Sequence, residues 1–430
     1  MKTTTLAGID WNGATSLKER AIPKTRTTDE LSQKRFNRWK EFVESDKEIS
    51  LKEVLDTHYL NEELLLNFLA APEIEVLDDS DLIDWKSVLN DIYSPKFEEV
   101  VIPDLEDVLF VNFVKPFVKV GIGRLDVKLN ELNITEKIKC LIKKEAHDSL
   151  IRNLAESLAA LCSRTIILEL NVARVSGHLK GETPEERFQY YNNNHLNNKE
   201  YTSTLLKEYV VLARLLATKT IYWINNVGDL YQRILSDNSL LEEEFNFGKP
   251  LGPVIKIETG STISDSHNKG KTVTILHFQY NLKIVYKPRS LKVDQVFNRF
   301  IKSINSELRY RLKTVKTLDR KEYGWTEFIC PSTCHSEEEI KRFYWRIGSY
   351  LSILYSINAV DFHHQNLIAN GEYPILIDLE SLLHNSSTYT DDSALSRAHT
   401  HIEKSVLRIG LLPRKIGSKQ GLEGIDLSGL

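Results

Sequence analysis

Cysteine is scarce in this chain: Cys140, Cys162, Cys330 and Cys334 are the only four in 430 residues. They are too few and too scattered for a disulfide framework, which points to a reducing compartment. Cys330 and Cys334, followed by His335, have the look of a metal-site fragment. A structural zinc takes four ligands, and no second pair at similar spacing accompanies them, so no zinc is expected. An excess of one charge is also missing: 56 Lys and Arg face 60 Asp and Glu, leaving −4. That balance gives no basic footprint for nucleic acid, and none is expected as a partner. Long apolar runs are absent too. The best, such as YVVLARLLA from Tyr209, are short of the ~20 residues of a membrane span, and MKTTTLAGIDWNG has no signal-peptide core. The expectation is a cytoplasmic protein with no transmembrane segment.

The length exceeds the roughly 100–200 residues of one domain, so two or three lobes are expected, with 41% hydrophobic residues to fill their cores. SLKERA, ELSQKRFNRWKEFVE and EELLLNFLA, between about 15 and 70, carry apolar residues at helical spacing. An acidic stretch from Glu73 to Asp107, interrupted by Pro95 and Pro103, reads as solvated loops and short helices. Residues 130–175 are strongly helical, long enough for two packed helices, and a further helical block covers about 200–235. No internal repeat is present. Near Gly248 the texture changes: VIKIETG, TVTILHF and LKIVYKP are β-branched and alternating, and predict antiparallel strands. A helix follows across EEIKRFYWRIGSYLSILYSI, then a hairpin around Asn370-Gly371 in LIANGEYPILIDLESLL. The expected fold class is α+β and bilobal. It has a mostly helical region at 1–245, a β-rich lobe at 246–320, and a mixed lobe at 321–430.

Phosphoryl transfer needs a cation on the nucleotide phosphates, groups that hold metal, and a group that takes the acceptor proton. Lys287 ends the strand LKIVYKP, the element type on which kinases place their phosphate-contacting lysine. The loop Ser264–Gly270 lies between two strands, where kinases cover the phosphates. It lacks G-x-G-x-x-G and reads equally well as a plain turn. Asp361-Phe362-His363-His364-Gln365-Asn366 reproduces the D-x-x-x-x-N spacing of a kinase catalytic loop and extends it to D-x-H-x-x-N. In that reading Asp361 takes the acceptor proton and Asn366 reaches a Mg²⁺. Asp378 closes the apolar run PILID, and Glu380 falls on the same side of an extended chain; both suit a metal. Singly, these are a solvated lysine, a polar loop and an acidic strand end; their order and element types make the pattern kinase-like. His364, His384, His399 and His401 are weaker candidates.

The phrases SDSHNKGKTVTILHF, KIVYKPRSL, DFHHQNLIANGEYPILIDLESLLH and SVLRIGLLP, with ELNVARVSGHLKGETPEERFQYY upstream, resemble successive motifs of class II lanthionine synthetases. The resemblance covers about residues 130–430. It implies a dehydratase with a lipid-kinase-like fold. Such an enzyme uses ATP and Mg²⁺ to phosphorylate Ser and Thr of a leader-bearing precursor peptide, as the first step toward dehydroalanine and dehydrobutyrine. Matched motif to motif, Lys287, Asp361, His363, Asn366, Asp378 and Glu380 resemble the family's phosphorylation residues, and Asp265 with His267 a further functional pair. The chain stops at GIDLSGL, where the family's longer members continue. The expectation is therefore a truncated dehydratase whose phosphate-elimination residues and zinc cyclase are missing or supplied by a second chain. Two other readings stand beside it: a small-molecule kinase of the aminoglycoside or choline type, and a non-catalytic peptide-binding remnant.

Overall fold

The computed structural model describes residues 11–22, 29–45, 49–70, 75, 77, 84–259, 268–385, 393–413, 415–416, 425–426 and 428–429. Asp265 and His267 lie outside these residues. In chain order the helices before the first strand are α1 (Glu30–Val43), α2 (Leu51–Thr57), α3 (Glu62–Ala70), α4 (Trp85–Asp91), α5 (Val111–Glu131), α6 (Thr135–Leu141), α7 (Lys144–Val175), α8 (Pro184–Tyr190), α9 (Lys199–Glu208) and α10 (Val210–Asn246). Then come β1 (Val254–Glu258), β2 (Thr274–Phe278), β3 (Lys283–Lys287), α11 (Lys292–Ile304), β4 (Thr317–Asp319), β5 (Gly324–Glu327), α12 (Glu337–Ser356), β6 (Leu367–Asn370), β7 (Tyr373–Leu376), α13 (Ala394–Glu403) and the two-residue pair β8 (Lys415–Ile416) and β9 (Ile425–Asp426). By contacts the chain forms two compact units, Met1–Thr135 with Ile151–Leu230, and Glu136–Leu150 with Tyr231–Leu430.

In the first unit, local capping sets the helix starts. Asp29 accepts from the Ser32 amide at 2.7 Å while the Ser32 hydroxyl receives the Asp29 amide, a reciprocal box that satisfies two otherwise orphaned donors at the start of α1. Ser50 with Glu53 and Thr183 with Glu186 do the same for α2 and α8. Phe36, Leu51, Leu55 and Leu65 make a small shared core for α1, α2 and α3. SLKERA yields only a 3₁₀ turn, Leu17–Glu19, because Glu19 is drawn inward to pair with Arg214. The acidic stretch is less solvated than its composition suggests. Trp85, Val88, Leu89, Phe97 and Leu105 are buried, and Asp91 and Asp107 pair with Arg124 and Arg152 at 2.6 and 2.8 Å. The helical stretch over 130–175 holds two helices of unequal length, the short α6 and the 32-residue α7. The 200–235 block breaks at Tyr209 into α9 and α10, where Tyr209 leaves helical geometry (φ −104°, ψ 59°).

The second unit is built on a five-stranded antiparallel sheet in the order β1-β2-β3-β5-β4. Thr274 pairs with Tyr286 and Leu276 with Ile284, and Tyr286 faces Trp325 of β5. Period-two alternation gives the sheet two distinct faces. Leu276, Phe278, Ile284, Tyr286 and Trp325 are buried on one side. There the fully buried Asp237 of α10 accepts from Trp325 Nε1 at 2.8 Å and Tyr323 Oη at 2.9 Å, and pairs with Arg320. Ile275, Val285 and Lys287 fall on the other side. A second core joins Phe297, Ile301, Tyr350, Leu354, Phe362, Leu376, Leu379, Ile409 and Leu411 beneath α11 and α12. The β6–β7 turn is Gly371-Glu372, between the paired Asn370 and Tyr373. The hairpin is therefore shifted by one residue from a turn centred on Asn-Gly, with Gly371 supplying the positive φ of 58°.

Candidate active site

The second face of the sheet forms one wall of a cleft of about 680 Å³. Val273, Ile275, Val285 and Thr326 make a largely apolar floor, and Phe297 and Ile301 of α11 close one side. A volume of this order suits a nucleotide-sized ligand. Lys287, Asp361, His363, Asn366, Asp378 and Glu380 all line this cleft.

Each reaches it for a local reason. Lys287 is the last residue of β3 and faces Gly324 across the sheet, so no opposing side chain competes for its position. It is only 8% exposed, and its Nζ donates to the Ile377 carbonyl. Burial pushes its ammonium below the ordinary lysine value, against the pull of the Asp294 carboxylate. The loop after α12 is pinned by Phe362, which is fully buried and whose amide donates to the Ile409 carbonyl at 2.7 Å. With Phe362 facing inward, its neighbours Asp361 and His363 face the cleft. Asp361 takes φ 68°, a left-handed conformation that aspartate tolerates better than most side chains. Asn366 Nδ2 donates back to the Asp361 carbonyl at 2.8 Å and closes the loop into a ring. The His363 Nδ1 accepts from the Gln365 amide at 3.2 Å, and its Nε2 lies 3.5 Å from Asp361 Oδ1.

Beyond β7 the same alternation acts again. Leu379 is buried in the core while Asp378 and Glu380 project to the other side, their side chains 37% and 59% exposed. Both meet a cation that sequence reasoning missed. Arg289 Nη2 lies 2.8 Å from Asp378 Oδ1, its Nε 3.5 Å from Glu380 Oε2, and its Nη1 2.9 Å from Asp294 Oδ2. Burial alone would lower the Arg289 value, but Asp294 and Asp378 outweigh it and the net shift is upward. Arg289 stands two residues past Lys287 across Pro288, so an extended register could have indicated it. Asp294, in the first turn of α11, carried no signal beyond an acid near a helix start.

Among the described residues no group of three or more His, Cys, Asp or Glu is arranged to hold a metal. A Mg²⁺ site needs less, one or two carboxylates with waters and phosphate oxygens. The Asp378–Glu380 pair offers two part-exposed carboxylates on the cleft lining, with Asn366 beside them in the same lining. Of the weaker histidine candidates, His364 packs beside the His363 ring at 5.7 Å but is not part of the cleft lining. The His384 amide donates to the Asn358 carbonyl and the Asn358 side-chain amide donates to the His384 carbonyl, and His401 is exposed on α13. The His399 side chain is outside the described set. Of the loop at 264–270, residues 268–270 are described, and Asn268, Lys269 and Gly270 all take positive φ, a turn geometry. No helix among the described residues is long and apolar enough to cross a membrane.

Comparison with known proteins follows the same residues. Residues 209–430 match the family model described as Domain of unknown function (DUF4135). The chain is also 29% identical over 325 residues to the lacticin 481/lactococcin biosynthesis protein LcnDR2 of Lactococcus lactis subsp. lactis. That alignment spans 73% of this chain and 33% of the relative. The chain thus covers about a third of that relative's length. With the family model matching more than half of its residues, the cleft included, the chain belongs to the DUF4135 family, a domain associated with the lanthionine synthetases whose motifs it resembles.

Proposed function

We propose that this chain takes part in lanthipeptide biosynthesis as an ATP-dependent kinase-like domain. Its reaction is phosphorylation of Ser and Thr hydroxyls in a leader-bearing precursor peptide, the first step of their dehydration. The observation that carries the reading is the convergence of Lys287, Asp361, His363, Asn366, Asp378 and Glu380 on one cleft, from β3, the 361–366 loop and the segment after β7.

Each residue has work suited to its position. Lys287 presents a buried ammonium to phosphate oxygens, where low dielectric strengthens the attraction. Asn366, Asp378 and Glu380 are the residues that would hold Mg²⁺, which supplies neutralisation of the charge on the transferring phosphoryl group. The partly exposed Asp361 carboxylate receives the proton of the peptide hydroxyl as its oxygen bonds to the γ-phosphorus and the bond to the departing ADP oxygen breaks. His363, beside Asp361, orients that carboxylate. The apolar floor formed by Val273, Ile275 and Val285 accepts the flat face of the base.

Mass spectrometry after incubation with a Ser/Thr-rich precursor peptide, ATP and Mg²⁺ tests the reading, run beside aminoglycoside and choline as competing acceptors. Phosphate on the peptide, lost in Asp361→Asn, supports it. Phosphate on a small molecule alone, or peptide phosphorylation unaffected by Asp361→Asn, refutes it.

A further inference from the structure

The ion pairs of Arg289 lead beyond the roles given above. Two cations, Lys287 and Arg289, face three carboxylates, Asp294, Asp378 and Glu380, in one partly buried cluster. Arg289 is shared among all three acids, and its partners differ in character. The Asp294 side chain is 7% exposed and sits within the first turn of α11, held on the same wall as Arg289. Asp378 and Glu380 are far more open to solvent. A divalent cation that binds the open pair through Asp378 Oδ1 and Glu380 Oε2 takes the oxygens that the guanidinium holds. The buried pairing with Asp294 does not have to break for this to happen.

We infer that Arg289 is an exchangeable internal counter-ion of the Asp378–Glu380 pair. Its contacts at 2.8 and 3.5 Å hold the two carboxylates together. A divalent cation displaces it from them, and the guanidinium, still tethered by Asp294, is left facing the phosphates beside Lys287. A guanidinium forks onto phosphate oxygens in a way an ammonium cannot, so the freed group adds to nucleotide affinity. Metal and nucleotide binding are thereby coupled through one side chain: Arg289 opposes the metal when it arrives alone and favours the nucleotide when the metal is in place. This inference rests on the phosphotransfer reading of the cleft.

The consequence is a pair of effects of opposite sign, read by binding and not by turnover. Mn²⁺ titrated into the nucleotide-free full chain, followed by electron paramagnetic resonance, should bind Arg289→Gln about tenfold tighter than the parent, within the usual range of coupling between sites. A non-hydrolysable ATP analogue with Mg²⁺ should bind the same variant about tenfold more weakly by calorimetry. Arg289→Lys keeps a charge without the fork, and should restore the parental Mn²⁺ affinity while leaving nucleotide binding weak. If Arg289→Gln does not fold with Asp294 left short of a partner, the double variant Arg289→Gln/Asp294→Asn removes that burden and carries the same expectation. Asp378→Asn separates the two levels of the argument. Loss of Mn²⁺ binding in Asp378→Asn with no tightening in Arg289→Gln overturns the counter-ion role alone. Failure of the parent to bind either Mn²⁺ or nucleotide overturns the phosphotransfer reading along with it.

Discussion

Lys287 has no acidic partner within ion-pairing distance among the described residues and spends its hydrogen bond on the Ile377 carbonyl. Its ammonium is therefore available to an incoming anion at the cost of one neutral bond. Lys287→Met, which keeps the length of the side chain, should lower the rate of peptide phosphorylation about 10²–10³-fold, the scale for loss of one charged donor at a transferring group. Quantifying phosphopeptide by mass spectrometry over time checks this, with circular dichroism confirming the fold. A second prediction concerns Glu19, buried against Arg214 at 2.5 Å. Burial pushes its carboxyl up, but hydrogen bonds from Arg214 and Ser16 outweigh this and hold it below the ordinary glutamate value. A depressed folded-state value contributes stability that is complete above the unfolded value of 4.5 and fades as pH falls through the folded one. Glu19→Gln should then cost about 1–3 kcal/mol at neutral pH and less in acid, the scale of hydrogen bonds to a charged group. Melting temperatures between neutral pH and pH about 3 test it; an unchanged difference across that range contradicts the assignment. At this scale the spacing in D-x-H-x-x-N and I-D-x-E was readable because it lies within short local segments. Arg289 and Asp294 were not, because their importance comes from partners that only the folded chain brings near.

Strand β3 is the element on which the cleft depends. It lies at the centre of the sheet, paired on both sides, and sets both the apolar floor and the position of Lys287. Gly324 opposite Lys287 is packed too closely to carry a side chain: a Cβ there would lie 2.5 Å from Leu291 Cδ1 and 2.8 Å from the Leu318 carbonyl oxygen. Gly324→Ala should therefore destabilise the fold by about 1–3 kcal/mol, as overpacking does. It should also weaken nucleotide affinity by moving β5 against β3. Chemical denaturation with calorimetric nucleotide titration measures both. The regular alternation of β1, β2 and β3 made them legible from sequence, as did the apolar spacing of α12. The three-residue β4 and four-residue β5 are too short to set up a period. Helix α5 was unreadable for a different reason. Its residues include Pro116, Gly121, Gly123 and several valines, all poor helix formers, and buried contacts made by Phe113, Val114, Phe117, Val118, Leu125 and Leu129 override them.

For the molecule as a whole, ligand binding should act unevenly. Mg²⁺ with a nucleotide analogue at a hundred times its dissociation constant stabilises the binding-competent fold by about 2.7 kcal/mol. Hydrogen exchange should show the gain in protection over residues 273–289 and 361–380, which surround the cleft, with little change in α1 to α3. Equal protection everywhere, or none, would contradict the placement of the site. The division into units carries a different consequence, for the order in which the chain can fold. Residues 136–150 belong with 231–430, although 151–230 belong with the N-terminal stretch. The Lys143 amide donates to the Val254 carbonyl and the Ser149 hydroxyl to the Ile257 carbonyl, so the outer edge of β1 is covered by a segment synthesised long before it. Cutting the gene at residue 245, where the composition changes most visibly, would strand that segment on the wrong side. The β-rich piece would then start life with an uncovered strand edge, the feature most apt to recruit a second copy into aggregates. A ribosome making the intact chain faces the same problem only briefly, while residues 136–150 wait for a sheet that does not yet exist.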